Sequence, residues 1–229
     1  MIKLVIVGGC AADKTRDAAH RHMRTVHGPM VYDPPPDAGP MPSYYAQNPA
    51  FDDAGALPAL WRGDRDFVTE VGFGDIGDLK AATSTPYYLD RLRPDEGNFV
   101  NQATVQAVAT REETRSGSES PEAVRLFLFL KRRGSQDEFG RRCALVERMV
   151  DGAVTARASD VALPVPDGRE ASFDRIERLS FADRAAALAF VQRSFAALVE
   201  PLAPCVETPG SFALLVDHYS VARLKGSRG

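Results

Sequence analysis

Residues 1–31 decide the fold, and they read MIKLVIVGGCAADKTRDAAHRHMRTVHGPMV. The run 2–7 is mostly β-branched or apolar and ends at Gly8-Gly9, which predicts a β-strand. Asp13 is suited to cap a helix, and apolar residues then recur at helical spacing. These residues are Ala19, Met23, Val26 and Met30. We expect the helix to end at His27-Gly28-Pro29, because proline cannot continue the backbone hydrogen-bond ladder.

The composition is that of a globular protein with a sizeable core, since 44% of the 229 residues are hydrophobic. The formal charge of -3 without a basic stripe makes nucleic acid an unexpected partner. No apolar run approaches the roughly 20 residues that span a bilayer, so no membrane association is expected. Three cysteines without a CxxC pair predict a reducing, cytoplasmic location.

The rest of the first half contains one long loop and three further strands. Residues 32–64 are dense in proline, glycine and aspartate, which predicts a loop with one short strand near 43–47. A strand over 66–73 follows, then a helix from Asp75 to about residue 82. A second helical segment over 87–93 and a strand over 101–110 complete the half.

The same order of elements begins again after residue 123. We predict strands over 124–131, 155–163, 171–180 and 211–221, and helices over 135–150 and 182–198. Each half is therefore β-α-β-β-α-β, the ferredoxin-like unit. The domains are 1–111 and 124–229, joined by a polar linker at 112–123.

Two such units form a tandem repeat, and each leaves one face of its sheet bare. The predicted fold is α+β, with two fused ferredoxin-like units packed sheet to sheet as an intrachain pseudo-dimer. A ligand cavity would lie between the sheets, with the helices outside. Whether two chains also form a homodimer stays open.

Two segments of the first half resemble the EthD-like family of the dimeric α+β barrel superfamily. One is the opening strand and helix with His27-Gly28-Pro29 and an apolar residue after it. The other is Ser84-Thr85-Pro86 with RPDEGNFV at 93–100, where the family has Asp-Glu, two residues, Phe, one residue and Asp. Asn101 replaces that closing aspartate. The resemblance covers about residues 1–110, whereas the second half matches in architecture alone.

The resemblance implies a small aromatic or apolar ligand and no cofactor. Members of the family include cofactor-free oxygenases, and cyclases and dehydratases of aromatic polyketides. Haem proteins of the same superfamily keep haem as a minor alternative. Setting Phe139 against Ala19 places Glu147 where the first half has His27, which predicts one histidine site per chain.

His27 is the first candidate for catalysis, because imidazole titrates near neutrality and suits proton transfer. The alternative is a histidine that only stabilises a helix end. His22, on the same helix, is either a pocket residue or an ordinary half-buried histidine. His20 and His27 are about 10 Å apart along a helix axis, too far to share one ion, so no metal is expected.

Other candidates surround the expected cavity. Tyr44, Tyr45 and Trp61 would form an aromatic lid, or would simply pack the loop onto the barrel. On the alternating strand 66–73, Glu70 would point away from the helices and toward the cavity, or would be a solvated glutamate. Phe67 and His218 are further candidate ligand contacts, although a lone histidine on an apolar strand is often a core residue.

The leading hypothesis is a cofactor-independent enzyme that acts by general acid/base catalysis on a small aromatic or polyketide-like compound. His27 would transfer the proton, assisted by Glu70 or His22, in a lyase, dehydratase or cyclase type of reaction. One alternative is a non-catalytic, stress-associated or apolar-ligand-binding barrel. The others are a haem-binding barrel and a cofactor-free monooxygenase.

Overall fold

The structure is a computed structural model that describes residues 1–149, 152–165 and 168–221. The described chain divides into two compact units. The first contains residues 1–49, 64–110 and 219–221, and the second contains residues 50–63 and 111–218.

The first unit has four main strands and two helical segments. The strands are β1 (Ile2–Cys10), β2 (Tyr44–Pro49), β3 (Phe67–Phe73) and β4 (Val100–Gly117). One helical segment joins β1 to β2 and consists of α1 (Arg16–His22), a π-helical turn (Met23–His27) and α2 (Gly28–Tyr32). The other joins β3 to β4 and consists of α3 (Ile76–Thr83), a π-helical turn (Tyr88–Leu92) and α4 (Arg93–Glu96).

The second unit repeats this order. Its strands are β5 (Val124–Leu130), β6 (Ala156–Ala162), β7 (Arg175–Phe181) and β8 (Phe212–Asp217), and its helices are α5 (Gln136–Arg148) and α6 (Arg184–Val199). The strand order is β4-β1-β3-β2 in the first unit and β8-β5-β7-β6 in the second, with antiparallel pairing of β1 with β3 and of β5 with β7. A short last strand, β9 (Tyr219–Val221), pairs with β2. The predicted fold class, two fused ferredoxin-like units in an α+β chain, is confirmed.

The register of β1 and β3 determines which side chains face the helices of the first unit. Leu4 is opposite Val71, and Ile6 is opposite Thr69. Phe67 lies on the same face of β3 as these residues and packs against Ala19 and Met23 of the helical segment. Glu70 lies on the opposite face, as its alternation with Phe67 and Val71 predicts.

The helix of the opening segment does not end at His27-Gly28-Pro29. It continues as α2 to Tyr32, because the backbone changes to π-helical bonding at Met23–His27 before it reaches the proline. The N–H of Gly28 donates to Met23 O, five residues back, so the ladder closes just ahead of the residue that has no N–H. The helix is capped at its start by Thr15, whose Oγ1 accepts from the Ala18 N–H, rather than by Asp13.

The first half of the predicted linker at 112–123 is strand. β4 continues to Gly117, and the N–H of Ser118 then donates to Thr155 O at 3.1 Å. The polar composition of 112–123 predicted a flexible segment. Backbone hydrogen bonds do not depend on side-chain polarity, so they stabilise the strand here despite that composition.

The long loop predicted at 32–64 divides between the two units. Residues 50–63 belong to the second unit, where the indole ring of Trp61 meets the Phe195 ring edge-on at 6.0 Å. Trp61 is 6% exposed and lies in a core cluster with Leu57. Residues 50–63 pack with the second unit because Trp61 buries its large ring in the apolar core of that unit.

The two predicted helices of the second unit are present as α5 and α6. Val150, predicted to end the first of them, and residues 222–229 of the predicted second domain lie outside the described residues. Residues 184–202 are long and apolar enough for a membrane span by composition. Phe190, Phe195 and Leu198 of this stretch are instead buried in the core of the second unit.

Candidate functional site

A cavity of about 260 Å³ lies between the sheet and the helical segments of the first unit. His27 is part of its wall, together with β1 and β3 side chains from the helix-facing side of the sheet. Most of the wall is apolar, formed for example by Leu4, Ile6, Met23, Phe67, Val71 and Leu92. The cavity that contains His27 is therefore on the helix side of the sheet, whereas the sequence placed it on the bare face.

His27 is positioned by the π-helical turn that precedes Pro29. A π-turn adds a residue to a helical turn and rotates the side chains around it, and such turns are frequent at functional sites. The amide of Gln47, on β2, donates to Met23 O at 2.6 Å and so ties this turn to the sheet. His27 is consequently buried within a continuous helical segment, with 8% of its surface exposed.

The opposite helical segment is built in the same way. Its π-helical turn ends at Leu92, and the Arg93 N–H donates to Tyr88 O, again five residues back and just before a proline. Pro94 follows the first residue of its π-turn by six positions, as Pro29 does in the first segment. This turn places Tyr88 in the cavity wall and begins the short helix that carries Asp95 and Glu96.

Asp95 joins the two segments through both oxygens of its carboxylate. His27 Nδ1 is 3.0 Å from Oδ2, and His22 Nε2 is 2.9 Å from Oδ1. Asn98 also donates to Oδ1, at 3.0 Å. The side chains of Asp95 and His27 are 11% and 10% exposed, and that of His22 is 26% exposed. The sequence predicted both histidines as candidates but not the carboxylate between them.

The protonation states follow from burial and from these hydrogen bonds. The pKa of His27 lies below its ordinary value, chiefly because of burial and also because of the neighbouring His22, although the hydrogen bond and charge of Asp95 raise it. Burial alone would raise the pKa of Asp95, but the hydrogen bonds from Asn98, His22 and His27 hold it below its ordinary value. At neutral pH Asp95 is therefore an anion that only accepts hydrogen bonds, and His27 is neutral.

An ionised Asp95 requires a proton on Nδ1 of His27, which leaves Nε2 with a lone pair. No protein group among the described residues hydrogen-bonds that second nitrogen. The ring forms part of the cavity wall, so Nε2 is the ring nitrogen that is left for a ligand there. Such a nitrogen is a proton acceptor of the kind used in general-base catalysis.

Phe99 packs against both imidazole rings. Its ring centroid is 5.0 Å from that of His27 and 5.5 Å from that of His22, with which it is stacked. Phe99 is 4% exposed and also lines the cavity. It limits access of water to the hydrogen bonds of Asp95, which strengthens them.

A second polar group in the cavity wall surrounds Glu96. Burial raises the pKa of Glu96, although hydrogen bonds with Gln102 and Tyr88 and the charge of Arg93 oppose the rise. Burial also raises the pKa values of Tyr88 and Tyr45, and the charge of Glu96 adds to both shifts. Glu96, Gln102 and Tyr88 therefore face one another in the cavity, near Tyr45.

Two of the five predicted ligand contacts lie in the cavity wall and three do not. Tyr45 and Phe67 line the cavity. The hydroxyl of Tyr45 accepts from Gln47 Nε2 at 3.0 Å. Tyr44 is the neighbour of Tyr45 on β2, so its side chain points to the other face of the sheet, and it is half-buried.

Glu70 is not in the wall of the cavity that contains His27. It is fully buried on the opposite face of β3, where Lys3 Nζ is 3.9 Å from Oε1 and Asn48 Nδ2 is 3.5 Å from Oε2. Strand alternation predicted this face, but the cavity is on the other one. Glu70 therefore does not assist His27.

Trp61 and His218 also lie outside this cavity. Trp61 is in the core of the second unit and cannot act as a lid on the cavity of the first. His218 follows β8, is 3% exposed, and donates its backbone N–H to Ala123 O at 3.0 Å. Its burial fits the alternative prediction of a core histidine.

Asp95, Glu96 and Phe99 were missed as site residues, although the sequence contained a signal for them. They are the Asp, Glu and Phe of the segment 93–100 that carried the family resemblance. The structure gives a physical role to each. Asp95 binds both histidines, Glu96 faces the cavity and Phe99 covers the imidazole rings.

The second unit carries charged residues where the first has its cavity wall. The pairing of β2 with β3 matches that of β6 with β7, so equivalent positions are defined by register. By this equivalence Tyr45 corresponds to Arg157, Phe67 to Arg175 and Thr69 to Glu177.

These charged side chains bind each other and the end of α5. Glu177 accepts from Arg175 Nε at 2.6 Å, from Arg157 Nη2 at 3.2 Å and from Ser159 Oγ at 2.6 Å. Arg175 also pairs with Glu147, the residue that the sequence aligned with His27. The positions that line the cavity in the first unit are therefore occupied by an ion-pair network in the second.

Metal binding receives no support from residues 1–149, 152–165 and 168–221. They contain no group of three or more His, Cys, Asp or Glu side chains arranged to hold an ion. His20 bonds the carbonyl oxygen of Asp66 at 2.8 Å, away from the carboxylate that His22 and His27 share.

Residues 11–103 match the family model of the EthD domain. Most of the matched residues lie in the first unit, which we therefore call the EthD unit. The match covers His22, His27, Asp95, Glu96 and Phe99, and it confirms the resemblance predicted from the sequence. A search of curated protein sequences gives no significant match.

Solved structures share the fold across both units. An anthrone oxidase-like protein aligns with a TM-score of 0.65 at 9% identity, covering 99% of this chain and 95% of its own. A candidate monooxygenase of Fusobacterium nucleatum subsp. nucleatum aligns with a TM-score of 0.57 at 7% identity, covering 95% and 91%. Another candidate monooxygenase, of Lactobacillus acidophilus NCFM, gives 0.53 at 11% identity, covering 95% and 93%. At these identities the similarity establishes the fold of the EthD unit and its companion unit.

Proposed function

We propose that the EthD unit is a cofactor-independent acid/base enzyme that removes a proton from a small, enolisable aromatic compound. One observation carries the proposal. His27 lies in the wall of an apolar cavity, and its Nδ1 is 3.0 Å from a carboxylate oxygen of Asp95, which leaves Nε2 for a ligand.

Proton removal uses Nε2 of His27. The lone pair of Nε2 accepts a proton from an acidic C–H or O–H of the bound compound, and the imidazolium that forms is stabilised by Asp95 at 3.0 Å. The carboxylate also keeps the Nδ1–H tautomer in place. His22 and Asn98 act on Asp95 and are positioning residues.

The dimensions and polarity of the cavity favour an aromatic ligand of about two fused rings. A dry protein cavity of about 150 Å³ admits benzene, and this one is about 260 Å³. The wall is apolar apart from a few side chains, among them His27, Glu96, Gln102 and the two tyrosines. A ligand with flat apolar rings and one or two oxygen atoms matches that distribution.

The same first step serves two reaction types. A deprotonated ligand with a leaving hydroxyl loses water, which is a lyase or dehydratase reaction. A deprotonated anthrone-like ligand instead reacts with dioxygen, which is a cofactor-free monooxygenase reaction. The names of the similar structures favour testing the second outcome. The carboxyl group of Glu96 in the same cavity wall favours testing the first.

The non-catalytic alternative is a barrel that holds an apolar ligand without turning it over. The apolar wall supports binding equally well under both hypotheses, so catalysis is the property to test. Haem receives no support from this cavity, whose volume of about 260 Å³ is below the roughly 300–1,000 Å³ of pockets for drug-sized ligands. A cytoplasmic location remains a prediction from the cysteine content.

The test is deuterium exchange into 1-tetralone, an enolisable two-ring ketone. The purified protein is incubated with 1-tetralone in deuterated buffer, and incorporation at C2 is followed by mass spectrometry. We expect the wild type to accelerate exchange, and His27→Gln to lose roughly 10²–10⁴-fold of the acceleration. The matched control is His20→Gln on the same helix, which keeps the rate because His20 bonds Asp66 O.

Anthrone in air distinguishes the two reaction types. Oxygenation consumes anthrone and O₂ and yields anthraquinone and water, so a His27-dependent rise in anthraquinone indicates a monooxygenase. Exchange without anthraquinone favours the lyase type where a binding titration shows that the three-ring anthrone enters the site. Saturable binding of 1-tetralone without any acceleration of exchange would contradict the enzyme proposal and favour the carrier.

A further inference from the structure

The cavity of the EthD unit has a second ionisable group that the proton-removal step does not use. Glu96 is half-buried in the wall and is the residue next to Asp95 on α4. The two adjacent carboxylates have different surroundings. Asp95 binds two imidazole rings, whereas Glu96 faces the cavity among Tyr88 and Gln102.

These surroundings favour a proton on Glu96. Burial is the largest influence on its pKa and raises it, and the neighbouring charge of Asp95 acts in the same direction. Arg93 on α4, with the hydrogen bonds from Gln102 on β4 and Tyr88 on the π-turn, lowers the pKa by less. Two carboxyl groups with pKa values pushed apart are a recurrent arrangement for separate acid and base roles.

We propose that Glu96 is the proton donor of the site, protonating a hydroxyl group of the ligand as it leaves while His27 removes a proton from the adjacent carbon. This inference rests on the proposed function and narrows it. The substrate class becomes an aromatic ketone with a hydroxyl group β to the carbonyl.

The step balances without an oxidant or a further reactant. Nε2 of His27 takes the proton from the carbon α to the carbonyl, and the electron pair of that C–H bond forms the new C=C bond. The β C–O bond breaks as Glu96 gives its proton to the oxygen, and water leaves. Transfer of the proton from His27 to solvent and from solvent to Glu96 restores the site.

A suitable probe is 3-hydroxy-1-tetralone. Loss of water across C2 and C3 and tautomerisation give 1-naphthol, whose fluorescence is read directly. The parallel reaction is deuterium exchange at C2 of 1-tetralone, which needs the base but has no leaving group. The two reactions therefore separate the role of Glu96 from that of His27.

The informative variants are Glu96→Gln, Glu96→Asp and the control Asp90→Asn. Glutamine keeps the size and hydrogen bonding of Glu96 but has no proton to give, and aspartate keeps the acid. Asp90 is an exposed carboxylate on the same helical segment. Thermal unfolding of each variant checks that the fold is retained.

We expect Glu96→Gln to lose roughly 10²–10⁴-fold in 1-naphthol formation and to lose 1-tetralone exchange by a much smaller factor. Glu96→Asp should recover part of the loss, and Asp90→Asn should behave as wild type. Wild-type dehydration by Glu96→Gln, or equal loss of both reactions, would overturn the role of Glu96. Exchange by the wild type without dehydration would also overturn it. Absence of exchange by the wild type would instead overturn the proposed function.

Discussion

Asp95 holds two imidazole rings with one carboxylate, and each histidine donates to a different oxygen. The arrangement fixes the tautomer of His27, because an ionised carboxylate beside Nδ1 requires the proton on that nitrogen. It also costs little in charge burial, because hydrogen bonds from His22, His27 and Asn98 satisfy the anion. Asp95 is therefore the residue that connects this cluster, because His22, His27 and Asn98 all hydrogen-bond to it.

Asp95→Asn should lower the rate of 1-tetralone exchange by roughly 10²–10⁴-fold. The amide has no negative charge to stabilise an imidazolium, and it also permits the wrong tautomer of His27. The measurement is the initial exchange rate at saturating ketone. Asp90→Asn is the matched control, and unchanged exchange in Asp95→Asn would show that His27 does not depend on the carboxylate.

The acid limb of the exchange reaction should lie below pH 6.5, because burial lowers the pKa of His27 from that value. Neutral His27 is the active base, so kcat/KM is constant above the pKa and falls as pH decreases through it. Removing the charge of Asp95 removes an influence that raises the pKa. The limb should therefore move to still lower pH in Asp95→Asn, and a shift to higher pH would contradict this electrostatic account.

At the scale of elements, both helical segments of the EthD unit use a π-turn followed by a proline. A proline inside an α-helix normally removes a hydrogen bond and clashes with the preceding turn. Here the bond from Gly28 to Met23 O and the bond from Arg93 to Tyr88 O close immediately before the prolines. The altered turns bring His27 and Asp95 into contact from two different segments.

Pro29→Ala should reduce activity without reducing stability. Alanine restores the missing N–H and allows the segment to return to α-helical bonding, which would rotate His27 away from Asp95. A displacement of about 1 Å in a catalytic group costs up to roughly 10²-fold in rate. Exchange rate and melting temperature are measured together, with the exposed loop residue Pro36 replaced by alanine as control.

A Pro29→Ala protein with normal exchange would show that the π-turn does not depend on the proline. A large loss of stability would show instead that the proline is needed for folding.

Most elements were predictable from local patterns in the sequence. Strand alternation predicted which side chains of β3 share a face of the sheet, and helical spacing predicted α5 and α6. The face of the sheet that a side chain occupies follows from alternation at two-residue spacing, so a single sequence contains it. The continuation past Pro29 was not predictable, because it depends on a π-turn held by Gln47 from another element.

At the scale of the whole molecule, the errors concern contacts between residues far apart in the chain. Asp95 and His27 are separated by 68 positions, and no local pattern shows that they meet. Trp61 was assigned to the wrong unit because a proline-rich stretch gives no periodicity that would show which core it joins. The family resemblance included Asp95, Glu96 and Phe99 without indicating their roles.

The ion-pair network should make the second unit sensitive to loss of single charges. Arg175→Met leaves the fully buried Glu177 without one of its partners, which should lower the free energy of unfolding by roughly 3–5 kcal/mol. Urea denaturation measures the change, and Arg148→Met at an exposed position of α5 is the control. A change below about 1 kcal/mol, within the range of exposed pairs, would contradict the assignment of these residues to a buried network.

Deuterium incorporation at C2 of 1-tetralone, measured for wild type and His27→Gln side by side, tests most directly whether His27 is the base. Binding of the ketone is measured for both proteins in the same buffer. We expect catalysed exchange by the wild type, and binding with exchange reduced roughly 10²–10⁴-fold in the variant. Equal exchange by the two proteins would contradict the central claim that His27 is the base.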